Sequence, residues 1–317
     1  SGGQQPERSR CTAFRAGMLA GLVGCKLLWE VGFIGELPTM SLGQGQRVEP
    51  LASRYRSRGG VEQVDLQLTG KNVLVTGAGQ GVGHRIAEAF VAEGANVAFS
   101  YNTSGQGAEE AAAAARADGV KAVAIQADIS RGDDVTRLVS TTKAELGSVD
   151  ILINNAAYTE PGGFLDLDAD ALVRMVEVTV VGTFRVTQAV VREMVDNGGG
   201  SIVSLMGDSG RVGESKLSAV ATSRSSTMGL MKSVAKEFGR HNVRANTVSL
   251  GLVQSEKFDH HTGHADDERM ARIVKMYPLR RVGQTSDIPP MVLLLASPLS
   301  GWTTGQTVSV NGGYSMV

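Results

Sequence analysis

The sequence predicts an α/β fold, a doubly wound sheet of about seven parallel strands with helices on both faces. Short apolar runs rich in β-branched residues alternate along the chain with segments of helical period. The runs are continuously apolar, which indicates strands covered on both faces, as helical crossovers would cover them. The predicted strands lie at 72–75, near 96–100, and at 121–126, 149–153, 201–205, 243–249 and 306–310.

A glycine-rich turn, Thr76–Gly83, lies where the first of these strands gives way to a helix that ends before Gly94. Glycines there permit positive φ and let backbone amides approach a pyrophosphate, while the helix N-terminus favours negative charge. Asp128 and the run 154–157 end two further strands, at the sheet edge where open α/β sheets bind ligands. This arrangement predicts a dinucleotide site.

The composition excludes several classes of partner. The 317 residues include 31 basic and 32 acidic side chains, so no net field attracts a nucleic acid or an anionic membrane. The two cysteines, Cys11 and Cys25, exclude a disulfide framework and favour a reducing, cytoplasmic location. No metal site is predicted, because the histidines within 260–264 match no ligand template and fit a solvated lid better.

The first 63 residues differ from the rest. They lack a sustained helical or strand period and end in a turn-rich run, so they are predicted to form a poorly ordered extension. Their apolar stretch Ala16–Gly24 is too short to span a membrane, and an export signal is the less favoured interpretation. The dinucleotide-binding domain is predicted over 64–317.

The glycine turn, Asp128, the run 154–157 and the tail from 278–283 to 305–313 together resemble the classical short-chain dehydrogenase/reductase (SDR) family. Within that family the chain is most similar to 3-oxoacyl-carrier-protein reductases. The resemblance implies a single Rossmann-type domain, a nicotinamide cofactor, and a homodimer or homotetramer. It also implies a cofactor-binding set comprising Gly77, Gly79, Gln80, Gly81, Val82, Gly83, Tyr101, Asn102, Asp128, Ile129, Asn155, Ala156, Arg224, Gly251, Val253 and Ser255.

The choice of cofactor depends on two positions. Tyr101 ends the second strand, where an NAD enzyme usually carries an acidic residue, so the main repulsion of a 2′-phosphate is missing. Gln80, however, stands in the glycine turn where an arginine or lysine often binds that phosphate. The balance favours NADP(H) over NAD(H) by a small margin.

The resemblance also identifies four catalytic positions, and all of them are substituted. The family uses a tyrosine, a lysine four residues later, a serine at a strand end and an asparagine in a central helix. Flanking residues match these positions to Val220, Arg224, Gly207 and Thr179. Valine carries no proton, and the pKa of an arginine, above about 12, prevents it from relaying one.

The sequence offers substitutes for the missing groups. Asp208 is the candidate acid or base, able to reach a substrate or to pair with Arg224; equally, it could be a solvated loop carboxylate or a partner of Arg211. Arg224 is the candidate clamp for an anion or a ribose, and Thr179 or Ser209 the candidate hydroxyl donor.

Three functions are compatible with this sequence. The first is a cofactor-binding SDR member with an atypical active site, which either performs different chemistry or is a catalytically silent subunit. The second is an NADP(H)-dependent carbonyl reductase acting on a small molecule without the usual tyrosine. The third is a regulatory subunit that forms a hetero-oligomer with an active relative.

Overall fold

The computed structural model describes residues 55–58, 61–256, 258 and 266–317, all within one compact unit, Ala52–Val317. Most of the predicted N-terminal extension lies outside these residues, and its poor order stays a prediction. Its last part contains a hairpin that the sequence did not predict, because four-residue strands are too short to show a period. In it, β1 (Tyr55–Arg58) pairs antiparallel with β2 (Val61–Val64).

The predicted parallel sheet is confirmed. Its seven strands are all parallel and run in the order β11-β8-β7-β6-β3-β4-β5. They are β3 (Asn72–Val75), β4 (Asn96–Tyr101), β5 (Ala122–Gln126), β6 (Ile151–Asn154), β7 (Gly200–Gly207), β8 (Val243–Leu250) and β11 (Thr307–Val310). A separate two-residue pair consists of β9 (Val253–Gln254) and β10 (Gly283–Gln284).

Helices connect the strands and cover both faces of the sheet. No helix in the described ranges is long and apolar enough to cross a bilayer. The α-helices are α1 (Gly81–Ala92), α2 (Gly105–Ala117), α3 (Gly132–Glu145), α4 (Ala169–Met175), α5 (Thr183–Asp196), α6 (Ser209–Val212), α7 (Ser218–Phe238), α8 (Asp267–Lys275) and α9 (Pro289–Ala296). A π-helix (Val176–Gly182) joins α4 to α5, and 3₁₀ turns span Gly239–His241, Thr285–Asp287 and Pro298–Ser300.

The apolar runs fill two cores, one on each side of the sheet. Along β3, Val73 and Val75 face one core with Phe90 of α1, whereas Leu74 faces the other with Val190 of α5. All of these side chains are fully buried. A strand buried on both faces is mostly apolar on both, which is why these strands do not alternate in polarity. Buried polar residues within them, such as Asn154 and Ser204, hydrogen-bond to each other.

The order of the strands creates the crevice that positions the site. From β3 the chain proceeds outward through β4 and β5, then crosses to β6 and proceeds outward on the other side. The connections that leave β3 and β6 therefore diverge at their carboxyl ends. Open α/β sheets bind ligands at such a switch point.

Candidate functional site

A cleft of about 660 Å³ opens above the carboxyl ends of β3, β6 and β7. Every residue in the cofactor-binding set lies on its wall, with Ser255 beside the glycine turn at one end and Arg224 at the other. The sequence therefore located the cleft correctly. That these residues hold a cofactor stays a prediction.

The glycine turn forms a cradle of backbone with no side chain inside it. Gly77 and Gly81 have φ of +68° and +63°, a region that β-carbons disfavour. A β-carbon at Gly79 would lie 2.2 Å from the Ser104 carbonyl oxygen, so the chain needs glycine here. The side chain of Gln80, at the N-cap of α1, makes no capping hydrogen bond, so it leaves the first amides of the helix available to an anion. The cradle fits a pyrophosphate.

Asn155 braces this cradle from the neighbouring strand. Its side-chain amide donates to the carbonyl oxygens of Thr76 and Gly77, both at 3.0 Å. The Thr76 hydroxyl in turn accepts from the backbone amides of Asn155 and Ala156 at 3.0 and 3.1 Å. The resemblance predicts that Asn155 lies beside the cofactor. In the structure the Asn155 side-chain amide also fixes the shape of the glycine turn.

Gly83→Ala is expected to disrupt this brace. A β-carbon at Gly83 would lie 2.3 Å from Asn155 Nδ2 and 2.5 Å from the Gly77 carbonyl oxygen. We expect unfolding to require about 1–3 kcal/mol less free energy, as in overpacked interiors, and dinucleotide binding to weaken at least tenfold. The control is Gly229→Ala in α7, where nothing lies within 4 Å, and which should stabilise by up to about 1 kcal/mol. Equal unfolding midpoints in the two variants would contradict the prediction.

Three of the four matched catalytic positions meet at the other end of the cleft. Gly207 ends β7, and Val220 and Arg224 lie about one turn apart on α7; all three line the cleft. A β-carbon at Gly207 would be 3.5 Å from the Ser209 hydroxyl oxygen, so Ser209 stands beside the serine position. Ser209 also lines the cleft and makes no side-chain hydrogen bond with the described residues.

Arg224 is a half-buried cation that pairs with no anion among the described residues. Its only hydrogen bond is a marginal one of 3.5 Å from Nη1 to the Leu205 carbonyl oxygen, and it has no ion pair among the described residues. Burial of the guanidinium lowers its pKa to about 10. An uncompensated charge is costly in the folded state, so its position on the cleft wall favours a ligand that supplies acceptor oxygens. This agrees with the predicted clamp.

The structure contradicts three expectations for Asp208: pairing with Arg224, pairing with Arg211, and exposure to solvent. Asp208 is 2 % exposed and therefore not solvated. Its carboxylate accepts from the Ser249 hydroxyl and the Asn311 amide, each at 2.5 Å, and it pairs with neither arginine. Arg211 instead donates to Ser309 and to the Val317 carbonyl oxygen. Asp208 thus lines the cleft as a fixed, hydrogen-bonded group.

Thr179 does not reach the cleft, which corrects its predicted role as a hydroxyl donor. It is 2 % exposed, and its hydroxyl bonds with the backbone amide and carbonyl of Tyr158 at 3.2 Å each. The π-helix that carries Thr179 widens the turn here, as such bulges often do near functional sites. Thr179 thereby fixes the segment that begins at Tyr158, which itself lines the cleft.

The sequence missed an acidic and aromatic corner of the cleft, formed by Asp208, Glu214, Tyr277 and Tyr314. The two tyrosine rings stack with centroids 5.1 Å apart. Burial raises the pKa of Tyr277 to about 12, although a hydrogen bond from the Leu252 amide opposes the rise. Burial first and the charge of Asp208 second raise the pKa of Glu214. The one sequence feature that could have predicted this corner is the position of Tyr314, directly after the glycines of the C-terminal motif.

The sequence predicted that the chain has no metal site, and this stays a prediction. The described residues contain no group of three or more metal-ligating side chains. The histidines within 260–264 lie outside those residues.

A backbone cradle for pyrophosphate, a crevice at the switch point of the sheet and a cation at its far end define a dinucleotide-binding α/β protein. Comparison with known proteins specifies its class. Residues 77–315 match the family described as enoyl-(acyl carrier protein) reductase. A 3-oxoacyl-[acyl-carrier-protein] reductase of Staphylococcus epidermidis is 32% identical over 246 residues, covering 78% of this chain and 99% of the relative.

Other relatives have different names. A sorbitol dehydrogenase of Cereibacter sphaeroides is 30% identical over 79% of this chain and all of its own length. A short-chain type dehydrogenase/reductase from Mycobacterium marinum has a TM-score of 0.74 at 30% identity, over 80% of this chain and 98% of its own. A 7α-hydroxysteroid dehydrogenase solved with NADH has a TM-score of 0.74 at 30% identity, over 78% and 96%. The chain belongs to the short-chain dehydrogenase/reductase family of NAD(P)-dependent oxidoreductases.

Proposed function

We propose that this chain is an SDR oxidoreductase with an atypical active site, which reduces a small-molecule carbonyl, or oxidises the matching alcohol, without the family's tyrosine. The observation that carries the proposal is the pairing of an intact cofactor cradle with a reacting end where Gly207 and Val220 replace the hydroxyl-bearing residues. The relatives are named for 3-oxoacyl, sugar-alcohol and steroid substrates, so we infer the carbonyl/alcohol pair and no narrower class.

Each end of the cleft has a separate task in this proposal. The amides at the start of α1 bind the pyrophosphate, and Asp128 accepts from the adenine. Arg224 donates to the nicotinamide ribose, which compensates its buried charge. The bound nicotinamide supplies or accepts the hydride.

We further infer a preference for NADP(H). The segment from Ser100 to Ser104 lines the adenosine end of the cleft and carries no carboxylate that would repel a 2′-phosphate. Its hydroxyls and the Asn102 amide are the available donors. The preference is small because Gln80 supplies no charge.

Tyr101→Asp should therefore reverse the preference. A carboxylate at this strand end can accept from both ribose hydroxyls of NADH and repels the extra phosphate of NADPH. We expect NADPH affinity to fall about 10- to 100-fold, roughly 1.4–2.8 kcal/mol, and NADH affinity to be equal or better. Fluorescence titration measures both. Tyr101→Asn makes the same truncation without the charge, and an equal loss of NADPH affinity in that variant would contradict the electrostatic explanation.

The first test of the proposed function is titration of the protein with NADPH and NADH, followed by a panel of ketones and acyl thioesters. Tight binding with oxidation of the reduced cofactor supports the proposal. Binding without oxidation of any substrate contradicts carbonyl reduction and favours the silent subunit.

The second candidate, a silent or regulatory subunit, requires a surface for contact with another subunit, and one apolar surface suits such a contact. Leu172 and Val173 of α4 and Phe184 of α5 are exposed apolar side chains on consecutive helices. Exposed apolar groups of this kind are typical of subunit contacts, so we also propose that the chain is a homo-oligomer, a dimer or tetramer. Sedimentation equilibrium distinguishes this from a monomer, and activity that appears only after mixing with an active relative would identify a regulatory hetero-oligomer.

A further inference from the structure

We propose that Glu214 is the proton donor and acceptor of this active site, in the role that the family assigns to tyrosine. This inference rests on the proposed carbonyl/alcohol chemistry. Several ionisable groups share the cleft with Val220, and they differ in whether they have a proton to give.

Most of these groups are already engaged. Both carboxylate oxygens of Asp208 accept hydrogen bonds, from Ser249 and Asn311. The Tyr158 hydroxyl donates to Glu160 at 2.6 Å. The Tyr277 hydroxyl accepts from the Leu252 amide, and its pKa, raised to about 12 by burial, makes it a weak proton donor. Glu256 lies at the pyrophosphate end, 3.4 Å from a β-carbon built on Gly81.

Glu214 differs from all of them. Its carboxyl group lines the cleft, is about half-buried and makes no hydrogen bond with the described residues. The backbone holds it firmly. Gly213, with φ of +69°, turns the chain immediately before Glu214. The backbone carbonyl oxygen of Glu214 accepts from the Leu217 amide at 3.1 Å, just before α7 begins.

Burial, and after it the negative charge of Asp208, keeps this carboxyl group protonated to higher pH than usual. Asp208 faces it from the end of β7, Tyr277 from the segment after α8 and Tyr314 from the segment after β11; Arg269 of α8 lines the same cleft. Burial and the negative charge of Asp208 both raise the pKa of Glu214. A carboxylic acid whose pKa approaches the working pH is an effective general acid.

The reaction balances with this one group. In the reductive direction the carbonyl carbon accepts the hydride with its electron pair, and the π electrons of the C=O bond move to the oxygen. That oxygen takes the proton from the Glu214 carboxyl, which gives the alcohol and the oxidised cofactor. The Glu214 carboxylate then recovers a proton from water in the open cleft. Alcohol oxidation is the reverse, with the carboxylate as base.

The test compares Glu214→Gln with the wild type, using NADPH and the best carbonyl substrate of the panel. We expect kcat to fall about 100- to 1,000-fold with KM and cofactor affinity little changed, and Glu214→Asp to recover part of the rate. Because the acid form is the donor, wild-type reduction should decline as pH rises through the raised pKa. The glutamine variant should lack this decline. Glu237→Gln, exposed on α7, is the matched control and should match the wild type.

Each remaining outcome is decisive. If the wild type turns over and Glu214→Gln keeps its rate and pH profile, the role of Glu214 is refuted and the proposed function stands. The same holds if Tyr314→Phe loses activity and Glu214→Gln does not. If the wild type binds NADPH and reduces nothing, carbonyl reduction and the role of Glu214 fail together, which is a different result from the first.

Discussion

Replacing Arg224 by methionine is expected to stabilise the protein and to weaken cofactor binding at the same time. Methionine fills a similar volume without a buried charge, so unfolding should require about 1–3 kcal/mol more free energy. Cofactor affinity should fall about 10- to 100-fold, because a charge-assisted hydrogen bond is worth roughly 1.5–3 kcal/mol. Denaturant unfolding and fluorescence titration measure the two effects.

The gain in stability should not vary with pH below about 10. Burial lowers the pKa of Arg224 to about 10 in the folded state, below its ordinary value, so below pH 10 both folded and unfolded chains carry the proton. The cost of burying the charge is then constant. Arg240→Met, exposed beyond α7, controls for the substitution itself. A less stable Arg224→Met protein with unchanged affinity would mean that the side chain serves packing alone.

In the Glu214→Gln background, the triple variant Gly207→Ser, Val220→Tyr and Arg224→Lys should raise carbonyl reduction by about 100- to 10,000-fold, the usual contribution of general acid/base catalysis. Gly207 has room for a side chain, whereas Val220 is 7% exposed and packs in a small apolar cluster, so the tyrosine ring has to extend from there into the cleft. A β-carbon at Gly207 meets only the Ser209 hydroxyl, at an ordinary 3.5 Å, and Val220 lies on the cleft wall. Initial rates of NADPH oxidation with a ketone give the gain directly.

Val220→Phe in place of Val220→Tyr is the control for this variant, because it adds the same ring without the hydroxyl. It should show no gain. If the tyrosine variant binds NADPH as well as the wild type does and is no faster than the phenylalanine variant, these positions are not the reacting end of the cleft. The matching of Val220 to the tyrosine position would then be wrong.

The sequence predicted the fold and the cleft wall because both depend on local patterns. A strand buried on two faces is a continuous apolar run, as in Asn72–Val75, and a pyrophosphate cradle requires closely spaced glycines after it. Both patterns can be recognised within a short window of sequence.

The electrostatics of the site could not be predicted in the same way. The partners of Asp208 lie 41 and 103 residues away, so nothing near it in the sequence shows that its carboxylate is buried and satisfied. Glu214 stands in a loop with no period, where a glutamate ordinarily suggests solvent. Thr179 belongs to an apolar run that reads as ordinary α-helix, and the π-helix that turns its hydroxyl toward Tyr158 leaves no local signature.

The hydrogen bond from Asn311 to Asp208 links the floor of the cleft to the edge of the sheet. Asn311 follows β11, which pairs with β8 alone and has four half-buried residues. Edge strands are among the first elements to open by local unfolding. When β11 opens, the buried carboxylate of Asp208 loses the amide donor of Asn311. We therefore expect the edge of the sheet and the floor of the cleft to lose their order together.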